Sequence, residues 1–298
     1  MVQPTFLVIG AGRSGTTSLH HYLAAHPDVF LPPTKAPSYF YAVDEPAERR
    51  RRETDSHFVR TAGEYEALFE PGTGFLARGE VSPVYLAAPR VADRVATELP
   101  DIRVIAVLRN PTDRFVARFV ARRRDGLERA DSIAEVVERE RAVGVDLDDT
   151  AGTYLAAGFV SHVLDRYIER LGPERVTIHL HDDLKADPAE LLARVFATIG
   201  VDAEVPVDTS RSYNASGGVI PGPVGTLWRG SAGFRRRIRP LVPERVRNTA
   251  FERVTRRVEP FDVATEDLAL LDECYAGEVT KLASLIDRPL DGWTRTSP

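Results

Sequence analysis

The chain has 298 residues, of which 43% are hydrophobic and 28% charged, and its formal net charge is −5. These values predict an ordinary globular protein, and the negative charge gives no reason to expect nucleic acid as a partner. The single cysteine excludes an intramolecular disulfide, no Cys/His spacing predicts a metal site, and no apolar run reaches the roughly 18 residues of a membrane span.

The first predicted element is a buried strand over Phe6–Ile9, followed by a glycine-rich loop and a helix that starts at about Gly15. Glycines let a backbone approach a ligand closely, and a helix start offers unpaired N–H groups to an anion. The spacing from Gly10 onward matches a nucleotide-binding P-loop, except that Thr16 stands where Lys follows the second glycine. The cation is instead Arg13, inside the loop, which predicts a phosphate cradle for something other than Mg-ATP. Because the strand begins so early, we expect no signal peptide and a cytoplasmic enzyme.

Further along the chain, strands alternate with helices. Strands are predicted at 29–31, 75–81, 103–108 and 176–180, and helices at 89–99, from Pro111, at 153–171, from Asp187 to about Gly200, and at 265–287. This alternation favours a parallel α/β sheet, in which ligands bind at the carboxyl ends of the strands. The glycine-rich loop and Arg109 both follow predicted strands, so they are expected to face one ligand. We expect a single domain over 1–298, with irregular substrate-facing segments at about 36–70 and 205–240.

Two arginine-rich features are open to more than one interpretation. The segment 44–60 contains Arg49 to Arg52 in succession and is typical of a solvated helix or flexible loop, with a lid over an anionic substrate as the alternative. Arg114, Arg118 and Arg122 recur at helical spacing. A solvated helix face is the favoured interpretation of that stripe, and a substrate-binding patch is the alternative.

Motifs in this order resemble the sulfotransferases that use 3′-phosphoadenosine-5′-phosphosulfate (PAPS), in particular their bacterial and heparan N-sulfotransferase-like branch. The matching stretches are Ile9–Ser18, Leu31–Phe40, Gly79–Leu86, Val107–Arg114, Gly158-Phe159, Asp183-Leu184 and Asp291–Trp293. The resemblance implies a three-layer P-loop-like fold, with a central parallel sheet flanked by helices. It also implies transfer of a sulfuryl group from PAPS, as co-substrate, to a hydroxyl or, as the less favoured choice, an amine of a small molecule or carbohydrate. No metal is expected. Because nearly all cations are Arg, with Lys only at 35, 185 and 281, we also expect a bacterial source.

The resemblance assigns roles to particular residues. The cradle for the 5′-phosphosulfate would consist of Gly12, Arg13, Ser14, Gly15, Thr16, Thr17 and Ser18. Within it, Arg13 replaces the family's lysine, which stabilises charge as the sulfuryl group leaves. Arg109 matches the arginine that binds the 3′-phosphate, but Ala117 stands where the family has a second contact, a serine. One hydroxyl contact is therefore expected to be missing, or to be replaced by a group such as Arg118 or Ser82. Backbone N–H groups at Gly217 and Gly218 are expected to close over the same phosphate.

The position of the catalytic base departs from the family. Relatives have Glu after the lysine, whereas this chain has Ala36 after Lys35. Three interpretations stay open: an engineered removal of the base, an enzyme with another base, or a protein that binds PAPS without efficient turnover. A diverged P-loop kinase is a further alternative. Lys35 is expected to hold the sulfonate or an acidic acceptor. The candidate bases are Glu80, His20, His21 and His57.

Overall fold

The computed structural model describes residues 2–43, 58–211, 213, 230–231 and 261–295. Its centre is a five-stranded sheet in the order β2-β3-β1-β4-β5. The strands are β1 (Phe6–Gly10), β2 (Val29–Phe30), β3 (Ala77–Val81), β4 (Arg103–Leu108) and β5 (Val176–Leu180). All pairings are parallel, so the predicted parallel sheet is confirmed.

Helices connect the strands. They are α1 (Thr16–Leu23), α2 (Tyr39–Ala42), α3 (Ala62–Ala67), α4 (Pro89–Glu98), α5 (Pro111–Asp125), α6 (Ile133–Val143), α7 (Ser161–Leu171), α8 (His181–Ala186), α9 (Pro188–Ile199) and α10 (Thr265–Leu285). No helix in the described ranges is both long and apolar enough to cross a membrane.

Both faces of the sheet are covered, which produces the predicted three layers. On one face, Leu7 and Ile9 of β1 belong to a core that includes α4 and α7. On the other face, Phe6 and Val8 pack in a second core with α1 and α9. A strand buried on both faces must be apolar at every position, which explains the uninterrupted hydrophobic run of β1.

Helix α5 lies in a third hydrophobic cluster, formed with α6, α10 and Tyr154. Its start is fixed directly after β4, because the Asn110 side chain accepts a hydrogen bond from Thr112 N at 2.9 Å. The same side chain donates to the Trp293 carbonyl at 2.9 Å. One residue therefore ties the end of β4, the start of α5 and the C-terminal part of the chain together.

Five helices differ from the sequence predictions: α2, α3, α6 and α8 are not among the predicted elements, and α7 begins later than expected. The helix predicted from residue 153 begins only at Ser161, because the buried Glu278 carboxylate accepts hydrogen bonds from Val160 N and Ser161 N, each at 2.7 Å. The run Arg49 to Arg52 and most of the 205–240 segment lie outside the described residues.

Close packing of β3 against β1 gives a stability prediction. A Cβ at Gly79 would lie 2.4 Å from the ring of Phe6, its partner in the sheet. We expect Gly79→Ala to lower the free energy of unfolding in urea by about 1–3 kcal/mol, because the ring must move in a filled core. The matched control is Gly63→Ala in α3, where no heavy atom lies within 4 Å of the new methyl group. That change should leave stability unchanged or raise it by up to about 1 kcal/mol. Equal effects of the two changes would contradict the prediction.

Candidate functional site

The loop between β1 and α1 lies at the carboxyl edge of the sheet, at its centre. Gly15 has a left-handed backbone, with φ of 83°, directly before Thr16 begins α1. A Cβ at Gly15 would lie 2.5 Å from Leu184 and 3.2 Å from the His181 ring, so glycine is required. No side chain caps the start of α1. Its first-turn N–H groups are therefore available to an anion.

Two loop side chains favour an anion at this place. Ser14 is fully buried, and its Oγ has no hydrogen-bond partner among the described residues. Arg13 is half-buried and has a φ of 73°, a strained backbone for a residue with a Cβ. Burial lowers the pKa of its guanidinium, and the charge of Arg124 lowers it further. Both groups would be stabilised by the oxygen atoms of a bound anion.

The other polar residues of the loop differ in what they contact. Thr16 is buried at the helix start, and Thr17 is half-buried. The Ser18 hydroxyl accepts a hydrogen bond from Tyr213 N at 3.0 Å. Ser18 therefore holds the segment around Tyr213 against α1, and its contribution to ligand binding stays a prediction.

Arg109 joins the loop from the end of β4. Its Nη1 donates to the Arg13 carbonyl at 3.2 Å, and its buried Nε has no partner among the described residues. Burial lowers the pKa of Arg109. One edge of the guanidinium fixes the loop while the other remains available to a ligand. Ala117 on α5 is 5% exposed and offers no hydroxyl group.

A second cation reaches the loop from the opposite side. Lys35 Nζ donates to Thr17 Oγ1 at 2.5 Å, which places the ammonium at the first turn of α1. The next residue, Ala36, has φ of 54°, and Ser38 has φ of 56°, so this segment holds two left-handed residues that are not glycine. Such a backbone persists only where the surroundings hold it.

Glu80 supplies part of that support. Its carboxylate is 1% exposed and accepts hydrogen bonds from Tyr65 OH at 2.8 Å, from Tyr85 OH at 2.6 Å and from the Ser82 hydroxyl. Burial raises the pKa of Glu80. Ser82 Oγ in turn accepts from Ser38 N at 3.1 Å. The carboxylate is thus enclosed beneath the segment that carries Ala36, and Ser82 lies in this network rather than beside Ala117.

The candidate histidines have different surroundings. His20 is half-buried one turn after Thr17, and burial, followed by the charges of Lys35 and His21, lowers its pKa to about 4. His20 is therefore a neutral imidazole at pH 7. The His21 ring stacks on Tyr213 with ring centroids 3.9 Å apart. His57, Gly217 and Gly218 lie outside the described residues.

One residue at this edge was missed by the sequence analysis. His181 follows β5 directly and packs against Gly15, and its buried Nδ1 has no partner among the described residues. Burial, followed by the charge of Arg109, lowers its pKa to about 4. Its position one residue past a parallel strand, like that of Arg109 after β4, was the available signal.

The order of the strands arranges these groups in a row. From β2 to β5 the edge presents Lys35 and Ala36, then the Glu80 network, the loop, Arg109, and finally His181. Within the described ranges, no group of three or more His, Cys, Asp or Glu side chains is arranged to hold a metal ion. The arrangement can hold an anion at the loop and a second one beside Arg109 through guanidinium groups and backbone N–H groups.

Comparison with known proteins agrees with this geometry. The sequence profile of the sulfotransferase family matches residues 4–205. The bifunctional heparan sulfate N-deacetylase/N-sulfotransferase 1 of Caenorhabditis briggsae is 24% identical over 224 residues, which are 72% of this chain and 24% of that protein. Heparan sulfate glucosamine 3-O-sulfotransferase 6 of Homo sapiens is 23% identical over 215 residues, 72% of this chain and 57% of that protein. The chain therefore spans only part of the length of these relatives.

A solved structure has the same fold. The crystal structure of a sulfotransferase from Alicyclobacillus acidocaldarius superposes with a TM-score of 0.74 at 24% identity, covering 99% of this chain and 100% of that chain. The three-layer fold with a central parallel sheet, expected from the resemblance, is confirmed.

The position of His181 gives a prediction about protonation. An anion beside Arg109 offsets the charge and the burial that hold the pKa of His181 at about 4, so bound adenosine 3′,5′-bisphosphate (PAP) should raise that pKa towards the ordinary 6.5. Between about pH 4 and 6.5, binding should then take up protons. NMR titration of the imidazole C–H resonances, assigned with His181→Gln, measures the pKa.

An internal control is present in the same spectra. The pKa of His179 is also lowered to about 4, by burial and then by Arg194. Because its charged neighbours are Arg194 and Asp183, its pKa should hardly change on binding. Equal shifts for the two histidines, or none for His181, would place the anion elsewhere.

Proposed function

The chain belongs to the sulfotransferase family, and we propose that it transfers the sulfuryl group of PAPS to a hydroxyl, or less readily an amine, of a carbohydrate or small molecule. Membership of this family rests on the match of its sequence profile to residues 4–205. Two relatives are named for heparan sulfate, which favours a carbohydrate acceptor. Because the chain spans only part of the length of these relatives, the identity of the acceptor is part of the proposal.

The observation that carries this proposal is the joined pair of anion-binding groups at the centre of the sheet edge. Arg109 Nη1 contacts the Arg13 carbonyl, so the guanidinium at the end of β4 and the loop after β1 are held in one geometry. PAPS has one anionic group at each end of its ribose. The unpartnered Ser14 Oγ at the loop and the unpartnered Arg109 Nε fit two such groups.

On the donor side, we assign complementary roles to the chain's own groups. The α1 first-turn N–H groups, with Ser14 and Gly15, hold the 5′ end, and Arg109 holds the 3′-phosphate. When bound, PAPS supplies an activated sulfuryl group. Arg13, inside the loop, and Lys35, which contacts Thr17, stabilise the negative charge that develops as the sulfur–oxygen bond breaks. Preorganised cations of this kind supply most of the catalysis in comparable phosphoryl transfers.

The reacting hydroxyl or amine of the acceptor belongs on the β2–β3 side of the loop, because β4 and β5 carry the groups assigned to the nucleotide. There, Lys35 is in contact with the loop, and Ala36 cannot take a proton. Glu80 is enclosed by three hydroxyl groups, and we assign it to support of the segment. His20, neutral and within reach of the charge of Lys35, is the described candidate that we favour as a base, whereas the His21 ring is stacked on Tyr213.

The role of Arg109 can be tested by nucleotide binding. Arg109→Ala should weaken PAP binding about 10- to 150-fold, the equivalent of about 1.5–3 kcal/mol for hydrogen bonds to a charged group, and should hardly change binding of adenosine 5′-phosphate. Calorimetry measures both affinities. The matched control is Arg103→Ala, at the exposed opposite end of the same strand. Equal loss for both nucleotides would refute the 3′-phosphate role.

The role of position 36 can be tested by restoring a carboxylate. Ala36→Glu should raise the rate of PAPS consumption at least about 100-fold, the usual gain from a general base. Glutamate costs no more backbone strain than alanine at this φ of 54°, because both carry a Cβ. Ala36→Gln is the matched control: it has the same shape without a base, and it should leave the rate unchanged. The assay uses a panel of hydroxyl and amine acceptors.

Each outcome of this assay has a distinct meaning. A rise with Glu but not with Gln supports a missing base at position 36. High activity of the unaltered chain with no gain from Glu would contradict that and point to another base, with His20→Gln as the next variant.

A further inference from the structure

The arginine stripe of α5 is not the solvated face that its spacing favoured. Arg114 is 4% exposed and donates to the Tyr154 carbonyl at 2.5 Å, so it is part of the core. Arg118 and Arg122 are half-buried and lie over the ring of Tyr154, at 5.5 and 5.7 Å from its centroid. The stripe therefore faces the interior of the protein, on the side of the sheet where the carboxyl ends of the strands lie.

The charge of Arg13, in the loop, acts on this stripe. Arg122 and Arg124 are among the charges that lower the pKa of Arg13, and Arg13 in turn acts on Arg118. Burial and neighbouring arginines lower the pKa of Arg118 to about 10. Arg118 and Arg122 share the ring of Tyr154, and the charge of Arg13 acts with theirs where water is partly excluded. We call these three residues the arginine cluster.

The cluster is not neutralised by the residues that the structure describes. None of its three members pairs with a carboxylate of those residues. The two acids nearby are engaged elsewhere: Asp125 pairs with Arg124 at 3.0 Å, and Glu128 pairs with Arg139 at 2.8 Å. The charge of Asp125 also raises the pKa of Arg13, but burial, which is the largest cause, and the charge of Arg124 lower it. The Nε atoms of Arg118 and Arg122 are buried without a hydrogen-bond partner.

Within the described ranges, a bound anion would stabilise such an arrangement. Like charges repel strongly where the effective dielectric is low, and buried N–H groups without acceptors add a further cost. Residues four apart on a helix are separated by about 6 Å along its axis, so two neighbouring guanidinium groups can bind oxygens of one group. Stacking on Tyr154 leaves the guanidinium edges available for such in-plane hydrogen bonds.

We propose that Arg13, Arg118 and Arg122 form an oxyanion site on the α5 side of the loop, distinct from the start of α1, for a phosphate, sulfate or carboxylate group. This inference rests on the proposed function, because it takes the ligand to lie across the same loop. The oxyanion comes from one of two sources: the ribose phosphate of the nucleotide, or an acidic group of the acceptor.

The test compares two cluster variants with a surface control. Arg118→Gln and Arg122→Gln remove the charge while keeping a polar side chain of similar reach, and Arg118→Lys keeps the charge without the fork. Arg129→Gln, on the exposed segment after α5, is the matched control. Calorimetry at one salt concentration measures binding of PAP, adenosine 5′-phosphate, a heparin hexasaccharide and maltohexaose. Circular dichroism melting checks that each variant is folded.

The two sources give different results. If the oxyanion is the ribose phosphate, Arg118→Gln and Arg122→Gln weaken PAP about 10- to 100-fold and leave adenosine 5′-phosphate unchanged. If it belongs to the acceptor, PAP binding is unchanged and the heparin hexasaccharide weakens by a similar factor, while maltohexaose does not respond. In both cases Arg118→Lys loses less than Arg118→Gln, and Arg129→Gln matches the unaltered chain.

Loss in neither arm, or equal loss with Arg129→Gln, overturns the oxyanion site. The proposed function is judged separately, on whether the unaltered chain binds PAP. If it binds no PAP, that function is refuted, and the oligosaccharide arm alone then judges the cluster. Binding of no ligand by the unaltered chain overturns both.

Discussion

The site depends on the burial of β1 on both faces at the centre of a parallel sheet. Because β3 and β4 flank this strand, its carboxyl end emerges between two neighbouring strand ends. The chain must then turn within a few residues into α1, whose inner face covers the same sheet. At Gly15 the turn passes so close to Leu184 and His181 that no Cβ fits. We therefore infer that core packing, more than the loop's own hydrogen bonds, determines the direction in which the N–H groups of the loop point.

The same edge concentrates positive charge. Arg13 and Arg109 bring partly desolvated guanidinium groups to it, and burial lowers the pKa of both. A structural arginine in such surroundings is normally paired with a carboxylate, as Arg124 is with Asp125. Within the described ranges neither Arg13 nor Arg109 has such a carboxylate partner, and a bound ligand would supply the missing charge.

The sheet was predicted correctly, and the donor half of the site, which stays a prediction, could be proposed from the sequence because both depend on local patterns. An apolar run that ends in glycine, and an arginine directly after a strand, are readable without tertiary contacts. The start of α7 could not be predicted from a local pattern, because its cap comes from Glu278, over a hundred residues later in the chain. For the same reason, helical spacing could not tell whether Arg118 faces solvent or Tyr154: the answer depends on which helices cover α5. His181 carried a local signal, but its contact with Gly15 exists only after folding.

The enclosed Glu80 contributes to the proposed sulfuryl transfer by supporting the segment that carries Lys35. Glu80 orders the Ser82 hydroxyl, which accepts from Ser38 N, and the Ser38 hydroxyl donates to the Ala36 carbonyl at 3.0 Å. These bonds hold two left-handed residues in place, and Lys35 precedes them directly. Without them the segment would relax to an ordinary backbone, and the ammonium would lose its position at Thr17. A carboxylate with three hydroxyl donors is also a poor proton acceptor for an external group, because its lone pairs are already engaged. We therefore propose two separate roles: Glu80 fixes the position of the cation, and proton removal falls to another candidate base such as His20.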